Sequence, residues 1–352
     1  MSTIIEVAKR ASVSIATVSN VIRGTKRVSP KLKERVQNAI RDLDYSPNAI
    51  ARGLKAQQTR MLGLVLPDIT NPFFPGIIRG AEDTAFDRDY FLVTTNTDEQ
   101  IGRERRLLGA LRSYRADGIL LAPAPGSDFG HIRRTIASGL SVVFLDRQVM
   151  GVKTDAVLLD NVRGARECVR HLLQLGHRRI AIITGPLTLQ NARERLQGYE
   201  EALRESDIEI DQVLIYQGDY RMESGHRLTI ELLKGRAKAT AIFVSNGVMT
   251  VGVLNAFEEL SVECPRDISL ATFDDLTLDQ SSHPHLTAVV QPSYEMGARA
   301  ATLLMDRIEG KLVGDPVVVR VVPTLVIRES TRPNEVMDRK RARSSKKNSP
   351  AR

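Results

Sequence analysis

Four short apolar runs in this chain of 352 residues end on an acid or an amide: SVVFLD on Asp146, AVLLD on Asp160, AIFVSN on Asn246 and ISLATFD on Asp274. Such side chains offer hydrogen-bond acceptors to a polyhydroxylated ligand, and open α/β sheets bind ligands at the carboxyl ends of their strands. Asp274-Asp275 has the composition of a paired-carboxylate site, yet acids in that place serve equally as ligand anchors. Asp160 and Asp275 stand equally well as helix caps. Enzymatic chemistry finds little else to use. The chain holds no Walker loop, G-x-S-x-G elbow, H-E-x-x-H, C-x-x-C or G-x-G-x-x-G. His177 follows Gly176 before a strand, the place of a structural contact at a helix end, and His283 and His285 flank Pro284 without metal-ligand spacing. Cys168 and Cys264 are lone and far apart, which fits packed thiols rather than a bridge or a metal site. No enzymatic activity, metal or cofactor is expected.

The elements that must carry these residues are legible as pattern. The runs LGLVL, FLVTT, GILLA, SVVFL, RIAII, AIFVS and ISLAT are continuous and rich in branched residues, as strands buried on both faces should be. They alternate with helical stretches, which predicts βαβ units and a doubly wound α/β body with parallel sheets. The length suits a small head plus a body of about 270 residues.

The head reads differently. In TIIEVAKRASVSIATVSNVI, Thr3 and Glu6 form a T-x-x-E capping box, and Val7, Ala8 and Ala11 line one side of the helix that follows. Ser14 caps a second helix whose apolar side is Val18, Val21 and Ile22, leaving Ile15, Ala16, Thr17 and Asn20 outward. Small and polar residues exposed at a helix N-terminus suit close approach to base edges in the DNA major groove. A third helix starts at Ser29-Pro30 with the stripe Leu32, Val36, Ile40 and Leu43, enough to close an all-α core. Tyr45-Ser46-Pro47 then restarts the chain into NAIARGLK, a capped segment of about two turns weakened by Gly53. Such a segment is expected to order only against a partner surface.

Charge is segregated along the chain. Residues 1–60 carry twelve Lys/Arg against four Asp/Glu, residues 334–352 carry seven against two, and the remainder is net acidic, for a total of +8. A basic head on an acidic body is the footprint of phosphate contact confined to one end. No apolar stretch approaches the roughly 20 residues of a membrane helix, and the N-terminus lacks the apolar core of a signal peptide. The expected location is the cytoplasm, at the nucleoid when DNA is bound.

VAKRASVSIATVSNVI, YSPNAIARGL, NPFF, Asp160-Asn161, LGHRRIAIITGP and TFDD, in that order from Thr3 to about Pro333, resemble the lactose/galactose repressor family of bacterial transcription regulators. The first 55 residues look especially close to the purine repressor of that family. The resemblance implies a helix-turn-helix head over 1–45, a hinge helix and linker over 46–60, and an effector-binding and dimerisation body over 61–333. That body would be two lobes of the type I periplasmic-binding-protein kind, one over about 61–160 and 292–321, the other over about 161–291 and 322–333. Lobe crossings would fall near Asn161, Gln291 and Val322, and residues 334–352 would form a basic disordered tail.

The resemblance also assigns roles. Effector-site positions fall on Asn71, Phe73, Phe74, Asp146, Arg147, Asp160, Asn191, Arg195, Tyr220, Asn246, Asp274 and Gln291, with the Arg195 fork of donors suited to clamping adjacent ligand oxygens. Phe73 and Phe74 are also good core residues under the first body helix. Ile15, Ala16, Thr17 and Asn20 would read the major groove, with Thr3, Ser14, Ser19, Lys26, Tyr45 and Asn48 completing the DNA contacts. Leu54 would wedge into the minor groove beside Ala51 and Lys55. Three departures stand out: Ser12 replaces the usual turn glycine, Gly247 follows Asn246 where an Asp is usual, and Leu189 stands where the purine repressor has a base-reading arginine. The implied function is a repressor, dimeric on a near-palindromic operator, whose effector is a sugar or sugar derivative, with a purine or another metabolite behind it. The alternative is a periplasmic-type sugar receptor with an unrelated helical head.

Overall fold

A computed structural model describes residues 2–23, 27–45, 58–126, 128–276 and 285–334. The chain divides into one unit up to Arg60 and a larger one from Met61.

The first unit holds α1 (Ile4–Ala11), α2 (Ile15–Arg23) and α3 (Pro30–Asp42). The capping box is formed: the Glu6 amide donates to Thr3 Oγ1 at 3.3 Å and the Thr3 amide to Glu6 Oε2 at 2.7 Å. Ser14 caps α2 by accepting from the Thr17 amide at 3.1 Å. Ser29 occupies the N-cap of α3 ahead of Pro30, but its hydroxyl makes no cap bond. Val7, Ala8, Ala11, Val18, Val36 and Ala39 form the core, with Val21, Ile22, Ile40 and Leu43 packed on it. Ala39, one residue off the expected stripe, is buried, while Leu32 is only half-buried and stands outside this cluster. Ser12 adopts the left-handed conformation (φ 49°, ψ 51°) that a glycine would take without strain. From α3, the Arg35 guanidinium donates to the carbonyls of Ala11 and Ser12, satisfying the end of α1.

The second unit contains two six-stranded sheets. The first has the order β11-β5-β4-β3-β1-β2, with β1 Met61–Leu66, β2 Phe91–Asn96, β3 Gly118–Leu121, β4 Ser141–Asp146, β5 Asp155–Leu159 and β11 Val318–Val321. All its neighbours are parallel, in the register Leu62↔Leu92 and Leu62↔Gly118. The second has the order β12-β10-β9-β8-β6-β7, with β6 Ile180–Thr184, β7 Ile215–Gln217, β8 Ala241–Val244, β9 Ser269–Phe273, β10 Thr287–Val290 and β12 Thr324–Val326. It is parallel except for the edge strand β12, which pairs antiparallel with β10.

Burial on both faces explains the unbroken apolar runs except FLVTT, which forms the edge strand β2, exposed at Phe91 and half-buried beyond it because one side has no neighbouring strand. Leu62, Leu64 and Leu66 pack under α4 (Phe73–Phe86) and α11 (Ser293–Ile308). Val65, Ile119 and Phe144 meet α5 (Ile101–Ser113) and α6 (Gly130–Ala137) on the other side. In the second sheet Ile180 and Ile182 face α7 (Asn161–Gln174) and α8 (Gln190–Arg204), while Ala181 and Ile183 face α9 (Met222–Lys234) and α10 (Gly247–Glu259). The chain passes between the sheets after β5, after β10 and after β11.

Several polar residues serve this framework. His177 bonds Thr240 Oγ1 at 2.9 Å and the Arg332 carbonyl at 3.0 Å. Both cysteines are free, and burial pushes the Cys168 thiol far above its usual range. Asp275 forms a two-pronged ion pair with Arg328 at 2.7 and 2.9 Å rather than pairing with Asp274. Among the described residues no helix is long and apolar enough to cross a membrane.

Candidate functional site

The strand exits of both sheets converge on a cavity of about 550 Å³. Asn71, Phe73, Phe74, Asp146 and Arg147 line it from the first lobe, and Asn191, Arg195, Tyr220, Asn246, Asp274 and Gln291 from the second lobe and its crossing. Asp160 does not line it. Its carboxylate accepts from the Arg163 amide at 3.1 Å and caps α7, a local bond that keeps the side chain on its own helix. Phe73 and Phe74 do both things expected of them: they are buried in the first turn of α4, edge to face at 5.0 Å, and also form cavity wall.

Backbone conformation aims the polar groups. Asp98, Glu99, Asp146, Tyr220 and Asp274 all line the cavity, and all have positive φ, from 51° to 78°. Left-handed backbone at a non-glycine residue costs about 1–3 kcal/mol and persists where surrounding contacts over-determine it. Tyr220 lies over Gly185, where an added Cβ would strike its ring.

Arg195 is the keystone of the second lobe's wall. Its Nε donates to Asn161 Oδ1 at 2.8 Å, its Nη1 to the Ser245 carbonyl at 2.7 Å, and its plane stacks 3.8 Å from the Phe273 ring centre. Across the cavity Asp146 Oδ2 accepts from Asn191 Nδ2 at 3.0 Å, joining the two lobes. Burial raises the Asp146 carboxyl above the usual carboxylate range, with Arg147 and Arg195 opposing. Burial also works to lower the Arg147 guanidinium, but Glu99, held at 2.9 Å, and Asp146 outweigh it and raise it. Tyr220 is pushed up to about 12 by burial. Asp274 accepts from the Gly247 amide at 2.9 Å and from Gln291 Nε2. An added Cβ at Gly247 would stand 3.1 Å from Asp274 Cβ, so the glycine lets α10 start against this acid.

Sequence reasoning missed Asp68, Asp98, Glu99, Asp219, Arg221 and Glu223, which also line the cavity. They sit two to six residues past the ends of β1, β2 and β7, all in loops except Glu223 in the first turn of α9, and Asp98-Glu99 following FLVTTNT was the available signal.

In the head, Ile15 and Ala16 are exposed at the first turn of α2, and Thr17, Ser19 and Asn20 are half-exposed beside them. Thr3 is exposed, with its hydroxyl engaged in the capping box, and Ser14 is exposed with its hydroxyl on Thr17. Tyr45 packs against the head core, so only part of its ring is left to face a duplex. Lys26, Asn48, Ala51, Leu54 and Lys55 lie outside the described residues, as does His283.

Comparison with known proteins matches residues 3–48 to the bacterial regulatory proteins of the lacI family and residues 169–331 to a periplasmic binding protein-like domain. The ribose operon repressor of Halalkalibacterium halodurans is 35% identical over 337 residues, 95% of this chain and 98% of the relative. The chain belongs to the lacI family. Among solved structures, this lacI-family protein is similar to the transcriptional regulator CelR–cellobiose complex, with 32% identity, a TM-score of 0.72, and coverage of 94% of this chain and 100% of that one. It is also similar to the lac repressor dimer bound to operator and the anti-inducer ONPF, with 25% identity, a TM-score of 0.83, and coverage of 94% and 99%. The lacI-family chain is a DNA-binding transcriptional regulator with a body of the periplasmic-binding-protein kind, and its relatives are regulators of transcription rather than enzymes.

Proposed function

We propose that this protein is a repressor that binds a near-palindromic operator as a homodimer and releases or tightens its hold when a sugar-class effector occupies the cavity between the lobes. One observation carries the reading: eleven of the twelve residues that the resemblance named, from two different sheets, converge on one cavity, while the chain crosses between those sheets three times. A ligand touching both walls changes how the lobes stand toward each other, because the Asp146–Asn191 bond and the Gln148 amide to Gln190 Oε1 bond (3.1 Å) cross the same gap. The cellobiose and ONPF complexes of similar regulators favour a carbohydrate. Leu189 disfavours a purine, since it is buried at the N-cap of α8 and offers the cavity no donor.

On DNA, Ile15, Ala16, Thr17 and Asn20 act as the reading face, with Ser19 and Lys26 beside them. One head covers only a few base pairs, so specificity asks for a two-fold dimer. Leu54, with Ala51 and Lys55, acts as a minor-groove wedge whose engagement depends on the spacing of the two bodies. Coupling between effector and operator of about 1–3 kcal/mol changes operator affinity roughly 5–150-fold. The test is selection of bound fragments from the native genome, followed by gel shifts at moderate salt with and without sugars. Enrichment of a few near-palindromic segments, with affinity that moves when a sugar is added, is expected. Equal retention of genomic and scrambled DNA under all conditions overturns the proposal.

A further inference from the structure

The cavity's charge and its unmet hydrogen bonds narrow the ligand beyond a sugar-class molecule. Its lining includes seven acids and three arginines, but part of that charge is internally spent. Arg147 is committed to Glu99, and Asp98 pairs with Arg103. Among the described residues Asp146 and Asp274 in the interior, and Asp68, Asp219 and Glu223 toward the mouth, form no ion pair; only Arg195, Arg221 and the already engaged Arg147 stand against them. Two of the three Arg195 nitrogens are already occupied, by Asn161 and Ser245.

Anions commonly bind at helix N-termini through free backbone amides. At two of the helix starts on the cavity those amides are taken. At α10 the Gly247 amide donates to Asp274 and the Met249 amide to Asn246 at 2.8 Å, and at α4 the Phe73 amide donates to Asn71 at 3.1 Å. The α4 and α10 ends turned to the cavity are therefore satisfied by the chain's own acceptors, while α5, α8 and α9, which also start at the cavity, carry no side-chain cap.

The unmet groups point the other way. Asp146 Oδ1 and Gln291 Oε1 are buried acceptors without a donor, on residues 5% and 9% exposed, and Arg147 Nε is a buried donor without an acceptor. Hydroxyl groups both donate and accept, so a polyol can satisfy all three; a phosphate or carboxylate only accepts.

We infer that the cavity selects an uncharged or cationic polyol and rejects phosphorylated or carboxylated sugars. The inference rests on the cavity being the effector site. A matched panel tests it on the full-length protein: glucose, galactose and ribose, their phosphate esters, glucuronate and galacturonate, and glucosamine and galactosamine, read by thermal shift and then calorimetry. At least one neutral or amino sugar should raise the melting temperature by about 2 °C or more, and its phosphate or uronate should bind at least about tenfold more weakly. An anionic sugar that binds more tightly than its neutral parent overturns the charge inference and leaves the cavity standing as effector site. Silence across the whole panel overturns both.

Discussion

Replacing Arg195 with alanine should cost the body about 3 kcal/mol of stability, in addition to abolishing the ligand response. The side chain is 3% exposed, so its contacts are little screened by water. Truncation strands Asn161 Oδ1 and the Ser245 carbonyl, each of which accepts a charged donor at under 3 Å; such bonds are worth about 1.5–3 kcal/mol apiece. Loss of the stacking on Phe273, 3.8 Å away, removes up to about 2 kcal/mol more. The three contacts share one guanidinium and do not add, and removing a buried cation returns some desolvation energy, which brings the net to about 3 kcal/mol. For a unit of this size the melting temperature should fall by roughly 6–9 °C. The chain has no tryptophan, so far-ultraviolet circular dichroism of the full-length protein is the appropriate readout. Arg195→Lys keeps the charge but can reach only one of the two acceptors, and should lose about half as much. At 25 °C both variants should remain folded and retain operator affinity in the gel shift. An Arg195→Ala protein melting within about 1 °C of wild type would refute the clamp.

A double-mutant cycle of Asp146→Ala and Asn191→Ala should give a coupling of about 1–2 kcal/mol for the buried bond across the cavity, measured by urea denaturation; additive effects would mean the lobes are not joined there. Ser12→Gly should relieve left-handed strain at the α1–α2 turn and stabilise the head by about 0.5 kcal/mol, read as slower amide hydrogen exchange in residues 4–23; faster exchange would contradict it. Burial lowers His171, and burial is also the leading cause that lowers His177. A depressed histidine contributes stability that is fully present above its unfolded value, about 6.5, and lost as pH falls through the folded value. The urea midpoint should therefore drop between about pH 7 and pH 5.5, and less steeply in His171→Gln; a parallel decline in wild type and variant removes His171 from the account.

Much of this molecule is legible along the chain. Thr3-x-x-Glu6 and Ser14-x-x-Thr17 form the caps their spacing announces, because caps are local and need only three residues of context. Strands such as GILL and IAIIT are apolar at every position because both faces are covered, so their type and their parallel pairing could be read directly. The antiparallel edge strand β12 could not, since three residues carry too little pattern to reveal a partner or a direction.

Eleven of the cavity's residues follow from the sequence and its family resemblance alone. Their division of labour does not. Asp146, Asp160, Asp274 and Asp275 are the same side chain in similar places, yet one bridges the lobes, one caps α7, one holds the start of α10, and one is locked to Arg328. Which amide or guanidinium each acid meets depends on residues 3 to 53 positions away, and on whether its own backbone turns left-handed at the strand exit. A hydrogen bond falls away within a few tenths of an ångström, whereas a sequence pattern specifies only which face a residue takes; the choice among partners on that face belongs to tertiary packing.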